Sequence, residues 1–363
     1  MKLRIALLGT RGIPANYGGF ETFAEELSVR LVQRGHDVSV CSRSRHSDEY
    51  YRGVRVVWLP TIRHKYLDTI AHTAASTAWL LFQRVDVALY CNAANALFTI
   101  LPRLRGIPVA LNVDGIERKR RKWNWVAKAW YLMSERLATV FPTRIVSDAE
   151  VIRRYYLERY DRDSTFIAYG ADTTPALTTK ALERLGLEAG KYFLYVSRFE
   201  PENHPLEVRR AFERIETDFK LALVGDAPHA EAYIREVRDT RDGRVLIPGA
   251  IYGTSYHELQ SHCFAYIQAT EVGGTHPALI EAMGRGALVL YRDTPENTEV
   301  CADAGIPFGD EDSLLAAMQH ALRMPEEERQ VFRKRAVERV SERYDWEVVT
   351  TQYEELFRWL LSR

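Results

Sequence analysis

Two successive series of short apolar runs, separated by helical segments, limit the fold of this chain more than any other feature. The first apolar run, over residues 3–8, is followed by an amphipathic segment over 21–34 and a second run over 37–41. A strand, a helix and another strand in this order are typical of a parallel sheet with crossover helices. The first series continues with predicted strands at 54–59, 85–90, 109–112 and 143–146, and helices at 68–83 and 125–140.

The second series repeats this pattern. Strands are predicted at 191–196, 220–224, 245–247, 264–268 and 287–291, and helices at 205–215 and 230–237. A linker is predicted around 172–191, where the periodicity changes. Since 363 residues exceed one ordinary core, we predict domains at 1–175 and 186–342, followed by a C-terminal helix at 343–363. That helix needs a partner surface for its apolar stripe of Trp346, Val348, Val349, Tyr353, Leu356, Phe357 and Leu360.

Composition excludes several classes of protein. With 46% hydrophobic and 27% charged residues, the chain is typical of a folded protein. Its 49 basic residues balance 49 acidic ones, so no overall charge would attract nucleic acid. The four cysteines lack metal-binding spacing, and we predict buried reduced thiols. No stretch approaches the ~18 apolar residues of a membrane span. We therefore expect a cytoplasmic protein, with peripheral association on the inner face of the membrane left open.

The loop before residue 281 is the main candidate site. A glycine-bearing stretch, Gly273-Gly274-Thr275-His276, leads directly into a predicted helix. Such a loop offers backbone N–H groups to an anion, and the helix dipole adds positive potential. Glu281, about one turn into the helix, would accept hydrogen bonds from ribose or sugar hydroxyls. A diphosphate flanked by hydroxyls indicates a nucleotide sugar.

Two more loops follow predicted parallel strands. The loop with Gly18 and Gly19 is about twice as long as a dinucleotide fingerprint, and no acidic residue follows the second strand. These glycines would let the backbone approach a phosphate, or they serve only tight turns. Arg198 follows the first strand of the second series, and its guanidinium suits diphosphate oxygens. The alternative for Arg198 is a salt bridge with Glu202.

Together these segments resemble a known family. The Gly18-Gly19-Phe20-Glu21 loop, the Arg198 segment, the 273–281 block and the helix at Trp346 resemble the family 4 retaining glycosyltransferases of the GT-B fold. The segments Gly-Thr-Arg-Gly-Ile-Pro and Gly-Gly-Thr-His-Pro further resemble a bacterial rhamnosyltransferase-like subgroup. The resemblance implies an α/β fold of two doubly wound Rossmann-like domains facing a central cleft. The N-terminal domain would bind the acceptor, the C-terminal domain the nucleotide sugar, and the C-terminal helix would cross back to the N-terminal domain.

The same resemblance implies roles for individual residues. Arg198 would neutralise the donor diphosphate, and Glu281 would bind the nucleotide ribose. The backbone of Gly273, Gly274 and Thr275 would lie against the sugar and phosphates. The Gly18-Gly19 loop would approach the donor phosphate from the other domain.

The chain departs from the family pattern at three places. Nine residues separate Glu271 from Glu281, whereas seven separate the two acids of the family pattern. Gly273 therefore occupies the position at which the family has a sugar-contacting acid. Asn203 stands where many relatives have a lysine, and His204 or His276 is expected to compensate for the missing charge. Asp114 replaces a frequent histidine, which agrees with a 6-deoxy donor sugar such as rhamnose.

Catalysis is expected to depend on positioned charge. Arg198 and the helix dipole before Glu281 could stabilise the leaving diphosphate without Mg²⁺. We expect no metal and no cofactor beyond the nucleotide-sugar co-substrate, dTDP-rhamnose or a UDP-sugar. Asp114 and Glu117 are candidates for orienting or deprotonating the acceptor hydroxyl. Their alternative role is to cap the helix that follows.

A basic, aromatic segment follows these acids. It suits an anionic membrane surface or a lipid-diphosphate acceptor, or it is a solvated helix start with core tryptophans. Nothing else in the chain indicates nucleic-acid binding. The candidate acceptor or membrane residues are Arg118, Lys119, Arg120, Arg121, Lys122, Trp123 and Trp125.

The sequence therefore predicts a retaining glycosyltransferase of cell-surface glycan synthesis. It would move a sugar, rhamnose in the first instance, from a nucleoside-diphosphate donor to a lipid-linked or polysaccharide acceptor. A UDP-hexose donor remains open. An NAD(P)-dependent sugar oxidoreductase and an inactive nucleotide-sugar-binding module are the less favoured alternatives.

Overall fold

The computed structural model describes residues 1–15, 18–62, 64, 67–120, 123–227 and 231–363. The chain divides into two units. The first contains Met1–Tyr169 together with Trp346–Arg363, and the second contains Gly170–Asp345. Each unit is built around a sheet of parallel strands flanked by helices, which confirms the predicted fold of two doubly wound Rossmann-like domains.

The first sheet has the strand order β3-β4-β2-β1-β5-β6-β7-β8 in the described part of the chain. Its pairs are parallel except for the antiparallel β3–β4 pair. The order reverses beside β1, which pairs with β2 on one side and β5 on the other, and ligands of such sheets bind at the carboxyl ends of these strands. The strands are β1 Arg4–Leu8, β2 Asp37–Ser42, β3 Tyr50–Tyr51, β4 Val54–Trp58, β5 Val87–Cys91, β6 Val109–Asn112, β7 Arg144–Ser147 and β8 Thr165–Phe166.

Helices and short 3-10 segments connect these strands. Every residue of β5 is buried, as expected for a central parallel strand covered on both faces. The helices are α1 Gly19–Gln33, α2 Asp68–Leu80, α3 Ile100–Leu104, α4 Trp125–Ala138 and α5 Glu150–Tyr160, and the 3-10 segments are Ala93–Thr99 and Glu117–Lys119.

The second sheet is entirely parallel, with the order β11-β10-β9-β12-β13-β14. Its order reverses between β9 and β12. The strands are β9 Tyr192–Val196, β10 Lys220–Val224, β11 Val245–Gly249, β12 Ala265–Gln268, β13 Leu288–Arg292 and β14 Gly305–Phe308. The helices are α6 Lys180–Leu185, α7 Pro205–Glu213, α8 Glu231–Arg238, α9 Gly253–His262, α10 Pro277–Gly284, α11 Pro295–Cys301, α12 Glu311–Arg323 and α13 Glu326–Arg343.

The final helix, α14 (Trp346–Leu361), belongs to the first unit and packs against α1. The ring of Tyr353 lies 5.3 Å from that of Phe23. Arg34, the C-cap residue of α1, forms ion pairs with Glu347 at 2.7 Å and Glu354 at 3.2 Å. The apolar stripe of the helix therefore has its partner in the first unit, although Val348, which the sequence placed in the stripe, is exposed.

Two general predictions also have outcomes. All four cysteines are buried free thiols, as predicted. Among the described residues, no helix combines the length and apolarity needed to cross a membrane.

The basic segment precedes the helix and does not form its start. Arg118 and Lys119 lie in the 3-10 segment, and the helix α4 begins at Trp125, as predicted. Asn124 caps this helix by accepting a hydrogen bond from the N–H of Ala127 at 2.9 Å. The alternative in which Asp114 and Glu117 cap a basic helix is therefore wrong.

We expect the stability of the first unit to fall below pH 6.5 because of His72. This side chain of α2 is fully buried, and burial, with the nearby charge of Arg43 adding to it, lowers its pKa from 6.5 to about 4. Between these values the unfolded chain binds a proton that the folded chain excludes, so the free energy of unfolding decreases with falling pH. The decrease should be about 3 kcal/mol.

Urea unfolding between pH 7 and pH 4 measures this loss. His72→Leu should remove most of it, whereas the same substitution at His46, a half-buried histidine of the same unit, should not. An identical pH dependence in the wild type and His72→Leu would contradict the assignment.

Candidate functional site

The carboxyl ends of β9 and β12 hold most of the predicted donor residues. Arg198 lies two residues after β9 and is half-buried, next to the fully buried Phe199. No described acidic residue forms an ion pair with its guanidinium. Glu202 is fully buried, and its carboxylate oxygens contact no hydrogen-bonding group among the described residues. The predicted alternative of an Arg198–Glu202 salt bridge is therefore wrong, and Arg198 keeps its charge available for a ligand.

Asn203 holds the backbone of Arg198. Its side-chain N–H donates to the carbonyl oxygen of Arg198 at 2.6 Å. The Tyr195 hydroxyl in turn donates to the carbonyl oxygen of Asn203. Asn203 is itself buried. The residue that stands in the usual lysine position thus fixes the loop that presents Arg198, and it adds no positive charge.

His204 is held between two carboxylates. Its Nδ1 lies 2.5 Å from Glu207 Oε1, and its Nε2 lies 3.1 Å from Glu271 Oε2. Arg292 also pairs with Glu207. The hydrogen bond from His204, together with the charge of Arg292, lowers the pKa of Glu207. Both ring nitrogens of His204 contact carboxylates, so this histidine links the loops after β9 and β12. This arrangement disfavours the predicted role, in which His204 replaces the positive charge of the missing lysine.

The glycine loop after β12 is fitted around His276. A Cβ at Gly273 would lie 2.4 Å from Cε1 of the His276 ring, so a side chain at position 273 requires the imidazole to move. Gly273, Gly274 and Thr275 are buried. His276 is the N-cap residue of α10, with no side-chain capping bond, and Pro277 is the first helical residue. As predicted, the loop leads directly into a helix, and the first turn of a helix offers backbone N–H groups that suit an anion.

Glu281 belongs to a hydrogen-bonded network with α9. The Tyr256 hydroxyl donates to Glu281 Oε2 at 2.5 Å, and Gln260 donates to the Tyr256 oxygen at 2.7 Å. Burial, followed by the charge of Glu281, raises the pKa of Tyr256 well above its usual range. The phenol therefore stays protonated and orients the carboxylate of Glu281. Tyr256 and Gln260 were not among the predicted site residues, and no helix was predicted there, although a spacing of four residues would place both on one face of a helix.

Tyr256→Phe should raise the KM for the nucleotide-sugar donor about tenfold, with a much smaller change in kcat. The substitution removes one hydrogen bond to a charged group, worth about 1.5 kcal/mol, and leaves Glu281 less well oriented. Steady-state kinetics with varied donor concentration measures the effect.

Tyr192→Phe is the matched control, because the Tyr192 hydroxyl donates to the carbonyl oxygen of Leu259 on the same helix, at 2.6 Å. This control should lower stability and leave the KM unchanged. Equal KM values in the wild type and Tyr256→Phe would exclude the orienting role.

In the first unit, the loop after β1 lies close to the end of β5. Gly9 has a φ of +91°, and a Cβ there would lie 2.4 Å from the carbonyl oxygen of Cys91. Glu21, buried in the first turn of α1, accepts a hydrogen bond from the N–H of Arg11 at 2.9 Å. Gly18 is the N-cap residue of α1 and Gly19 its first residue, and Gly18 has an extended backbone with φ −166°. These glycines therefore leave the start of the helix without a capping side chain.

Asp114 lies two residues beyond β6, with a left-handed φ of +56° that aspartate tolerates better than most residues. Its N–H donates to Asn112 Oδ1 at 3.1 Å, and the Tyr169 hydroxyl donates to its Oδ1 at 3.4 Å. Asn112 also donates to the Tyr353 hydroxyl of α14 at 3.0 Å. Hydrogen bonds to Asn112 and Tyr169 therefore hold Asp114 at the carboxyl edge of the sheet.

Two arginines of the basic segment, Arg118 and Arg120, pair with acids of the first unit. Glu117 pairs with Arg120 at 2.6 Å, and Arg120 is buried. Arg118 pairs with the buried Glu135 at 3.0 Å and donates to the Tyr155 hydroxyl at 2.7 Å. The expectation that these arginines form an open cationic surface is therefore wrong for Arg118 and Arg120.

The other members of that segment differ from one another. Lys119 is exposed, and Trp125 is 81% exposed at the start of α4. Trp123 is half-buried, with its ring 5.5 Å from that of Tyr131. The predicted residues Arg121 and Lys122 lie outside the described residues. Among the residues that are described, no group of three or more His, Cys, Asp or Glu side chains is arranged to hold a metal ion.

Two glycosyltransferase family models match consecutive parts of the chain. Residues 17–174 match the family model "Glycosyltransferase Family 4", and residues 179–339 match "Glycosyl transferases group 1". No curated protein sequence matches the chain.

Several solved structures share the fold. The sucrose-phosphate synthase of Thermosynechococcus elongatus is 20% identical, with a TM-score of 0.82 over 99% of this chain and 100% of that chain. HepE of Anabaena, in complex with UDP and glucose, is 16% identical with a TM-score of 0.80, over 98% and 99%. The catalytic domain of starch synthase IV from Arabidopsis thaliana, bound to ADP and acarbose, is 14% identical with a TM-score of 0.79, over all of both chains. The predicted GT-B fold is confirmed by these similarities.

Proposed function

We propose that this glycosyltransferase is a family 4-like, retaining enzyme whose second unit binds a nucleoside-diphosphate sugar. The main supporting observation is the half-buried Arg198, which forms no ion pair with a described acid at the carboxyl end of β9. The strand order reverses between β9 and β12, so the loop of Gly273 lies at the same switch point. One free guanidinium beside an open helix start suits a diphosphate.

The proposed donor contacts divide the ligand into three parts. Arg198 binds the diphosphate, with Asn203 fixing the loop that presents it. The backbone of Gly273, Gly274 and Thr275 lies against the phosphates and sugar, and Glu281 binds the ribose. In the first unit, Gly18 and Gly19 at the open start of α1 are retained as proposed phosphate contacts.

His276 takes a further role in this proposal. The family's sugar-contacting acid is replaced by Gly273, and the imidazole of His276 occupies the space where a side chain at 273 would begin. We assign the sugar contact to His276 on this ground. The imidazole would offer one hydrogen bond to a sugar hydroxyl in place of the carboxylate.

The proposed donor sugar is rhamnose, carried by dTDP. The presence of Asp114 in place of a histidine supports a sugar that lacks a 6-hydroxyl. A UDP-hexose is the second candidate, favoured by the likeness to HepE, whose structure holds UDP and glucose. The proposed acceptor is a lipid-linked or polysaccharide glycan of the cell surface.

The proposed chemistry requires no metal ion and no further cofactor. Arg198 and the first turn of α10 stabilise the negative charge on the leaving diphosphate. The acceptor hydroxyl attacks from the face that the diphosphate leaves, and Asp114 orients it and receives its proton. Glu117 is less suited to this role, because its carboxylate is paired with Arg120 at 2.6 Å.

Asp114→Asn should therefore lower kcat by about a hundredfold, the usual range for a lost general base. Glu117→Gln is the matched control and should cost much less. Both variants need a thermal unfolding profile like that of the wild type. An equal loss in both, or a larger loss in Glu117→Gln, would remove Asp114 from the acceptor site.

A turnover assay tests the proposed function. Purified protein is incubated with dTDP-rhamnose, UDP-glucose or NADH and a lipid-diphosphate glycan acceptor, and both nucleoside diphosphate release and glycan mass are measured. The proposal expects acceptor-dependent release of dTDP with a mass gain of one deoxyhexose, and retention of the anomeric configuration. Transfer from UDP-glucose alone would replace the donor, and inversion would contradict the retaining mechanism.

A further inference from the structure

The helix α4 presents apolar residues to solvent and buries its acid, the reverse of an ordinary surface helix. Trp125 is 81% exposed, and Val126, Met133 and Val140 are exposed by 53%, 41% and 61%. Glu135, in contrast, is buried and accepts hydrogen bonds from two tyrosines and Arg118. The polar network of this helix faces inward, so its exposed apolar residues do not contribute to the hydrophobic core and need another partner.

A second apolar stripe lies beside it on α3 and the preceding 3-10 segment. Leu97, Leu101 and Leu104 are exposed and are spaced by four and three residues, as on one face of a helix. The guanidinium of Arg103 donates to the carbonyl oxygen of Val140 at 2.8 Å, which ties α3 to the end of α4. The 3-10 segment Ala93–Thr99 also packs directly on α4.

We group these two stripes as the α3–α4 face, because Arg103 of α3 is hydrogen-bonded to Val140 and the 3-10 segment packs on α4. It comprises Leu97, Leu101, Leu104, Trp125, Val126, Met133 and Val140. Single exposed apolar residues are ordinary, but seven on adjoining elements are typical of a binding surface.

The exposed charges on the segment that carries the α3–α4 face have one sign. Between residues 93 and 140, every exposed charged side chain that the structure describes is a cation. The acids of this stretch are half-buried or buried: Asp114 receives a hydrogen bond from Tyr169, Glu117 pairs with Arg120, and Glu135 with Arg118. The exposed cations are Arg103, Arg105, Lys119, Lys128 and Arg136.

We propose that the α3–α4 face docks on an anionic lipid bilayer. The apolar side chains would enter the headgroup boundary, with Trp125 at headgroup depth, and the cations would face the anionic lipids. A second copy of this chain is disfavoured as the occupant, because pairing the face with itself would bring cations against cations. The α3–α4 face is thus distinct from the basic run at 118–122, in which Arg118 and Arg120 pair with acids of the first unit.

The purpose of this docking rests on the proposed lipid-linked acceptor, since a bilayer-bound enzyme would meet such an acceptor at the membrane surface. The docking itself requires neither donor nor turnover. A failure of the proposed acceptor would appear as absent transfer with vesicle binding intact. A failure of the docking proposal would appear as absent vesicle binding.

Vesicle flotation tests the docking, with vesicles of phosphatidylcholine alone or mixed with phosphatidylglycerol. The wild type should float with the mixed vesicles, and less so with phosphatidylcholine or at high salt. The double variant Trp125→Glu/Met133→Glu should lose at least tenfold in partitioning, since two apolar anchors become anions. Lys128→Ala/Arg136→Ala should lose about thirtyfold, from about 1 kcal/mol for each cation near the surface.

Leu177→Glu is the matched control, because Leu177 is 90% exposed in the second unit and should not contact the bilayer. All replaced residues are at the surface, so unchanged thermal unfolding is expected and is measured alongside. The proposal is overturned if the wild type does not bind mixed vesicles, or if the Trp125→Glu/Met133→Glu variant binds them as tightly as the wild type. It is also overturned if the wild type is a dimer by light scattering, the double variant is a monomer, and neither binds vesicles.

Discussion

Replacing Arg198 with alanine should lower turnover by about a thousandfold, because the leaving diphosphate would lose its main side-chain cation in a partly buried site. The loss should appear mainly in kcat, since the charge on the leaving group grows in the transition state. The fold should be unaffected, because the described residues give the Arg198 guanidinium no structural ion pair. Steady-state kinetics and thermal unfolding of the variant measure both effects.

Two control variants sharpen this test. Arg198→Lys keeps the charge and loses the planar fork, so an intermediate activity is expected. Arg210→Ala removes an exposed arginine of the same unit, which pairs with Glu236 at the surface, and should leave turnover unchanged. If Arg198→Ala retains most of its activity, Arg198 does not bind the diphosphate.

Replacing Phe357 with alanine should lower the free energy of unfolding of the first unit by about 3–5 kcal/mol, the usual cost of removing a fully buried aromatic ring. Phe357 is completely buried on α14, and its ring lies 5.9 Å from that of Tyr353. The substitution would leave a cavity where the last helix packs into the first unit. Urea denaturation followed by circular dichroism measures the change.

The control for this prediction is Leu361→Ala on the same helix. Leu361 is 37% exposed, so its truncation should cost well under half as much. Equal costs for the two substitutions would show that α14 does not pack through the Phe357 side of the helix.

Local sequence patterns predict the elements of this fold well, for a physical reason. Parallel strands are buried on both faces, so they appear as continuous apolar runs; the strand predicted at 191–196 is observed at Tyr192–Val196. The start of α10 could also be predicted, since Pro277 is favoured at a first helical position and follows a glycine loop. Both signals lie within a few residues of the feature they predict.

The pairing of side chains could not be predicted in the same way, because the partners are distant in sequence. His204 contacts Glu271, 67 positions further along the chain, through the neighbouring ends of β9 and β12. Arg118 belongs to a run of basic residues that suggests an exposed surface, yet it pairs with the buried Glu135. A run of like charges gives the sign of a segment and leaves open which members face inward.

The candidate site shows the same division. The positions of Arg198 and Glu281 follow from the strand and helix that precede or contain them. The role of Tyr256 does not, because a tyrosine on a helix gives no sign that it donates to Glu281 from a neighbouring element. The departure at Gly273 was visible in the sequence, but only the structure shows that the ring of His276 fills that space.

The most direct test of the account is a thermal-shift panel with dTDP, UDP, GDP, ADP and NADH, on the wild type and Arg198→Ala. A ligand at a hundred times its dissociation constant stabilises the folded state by ~2.7 kcal/mol, which gives a clear shift. We expect a nucleoside diphosphate, dTDP or UDP, to stabilise the wild type, Arg198→Ala to lose most of that shift, and NADH to have no effect. Stabilisation by NADH alone, or an undiminished nucleotide shift in Arg198→Ala, would contradict a diphosphate site at Arg198.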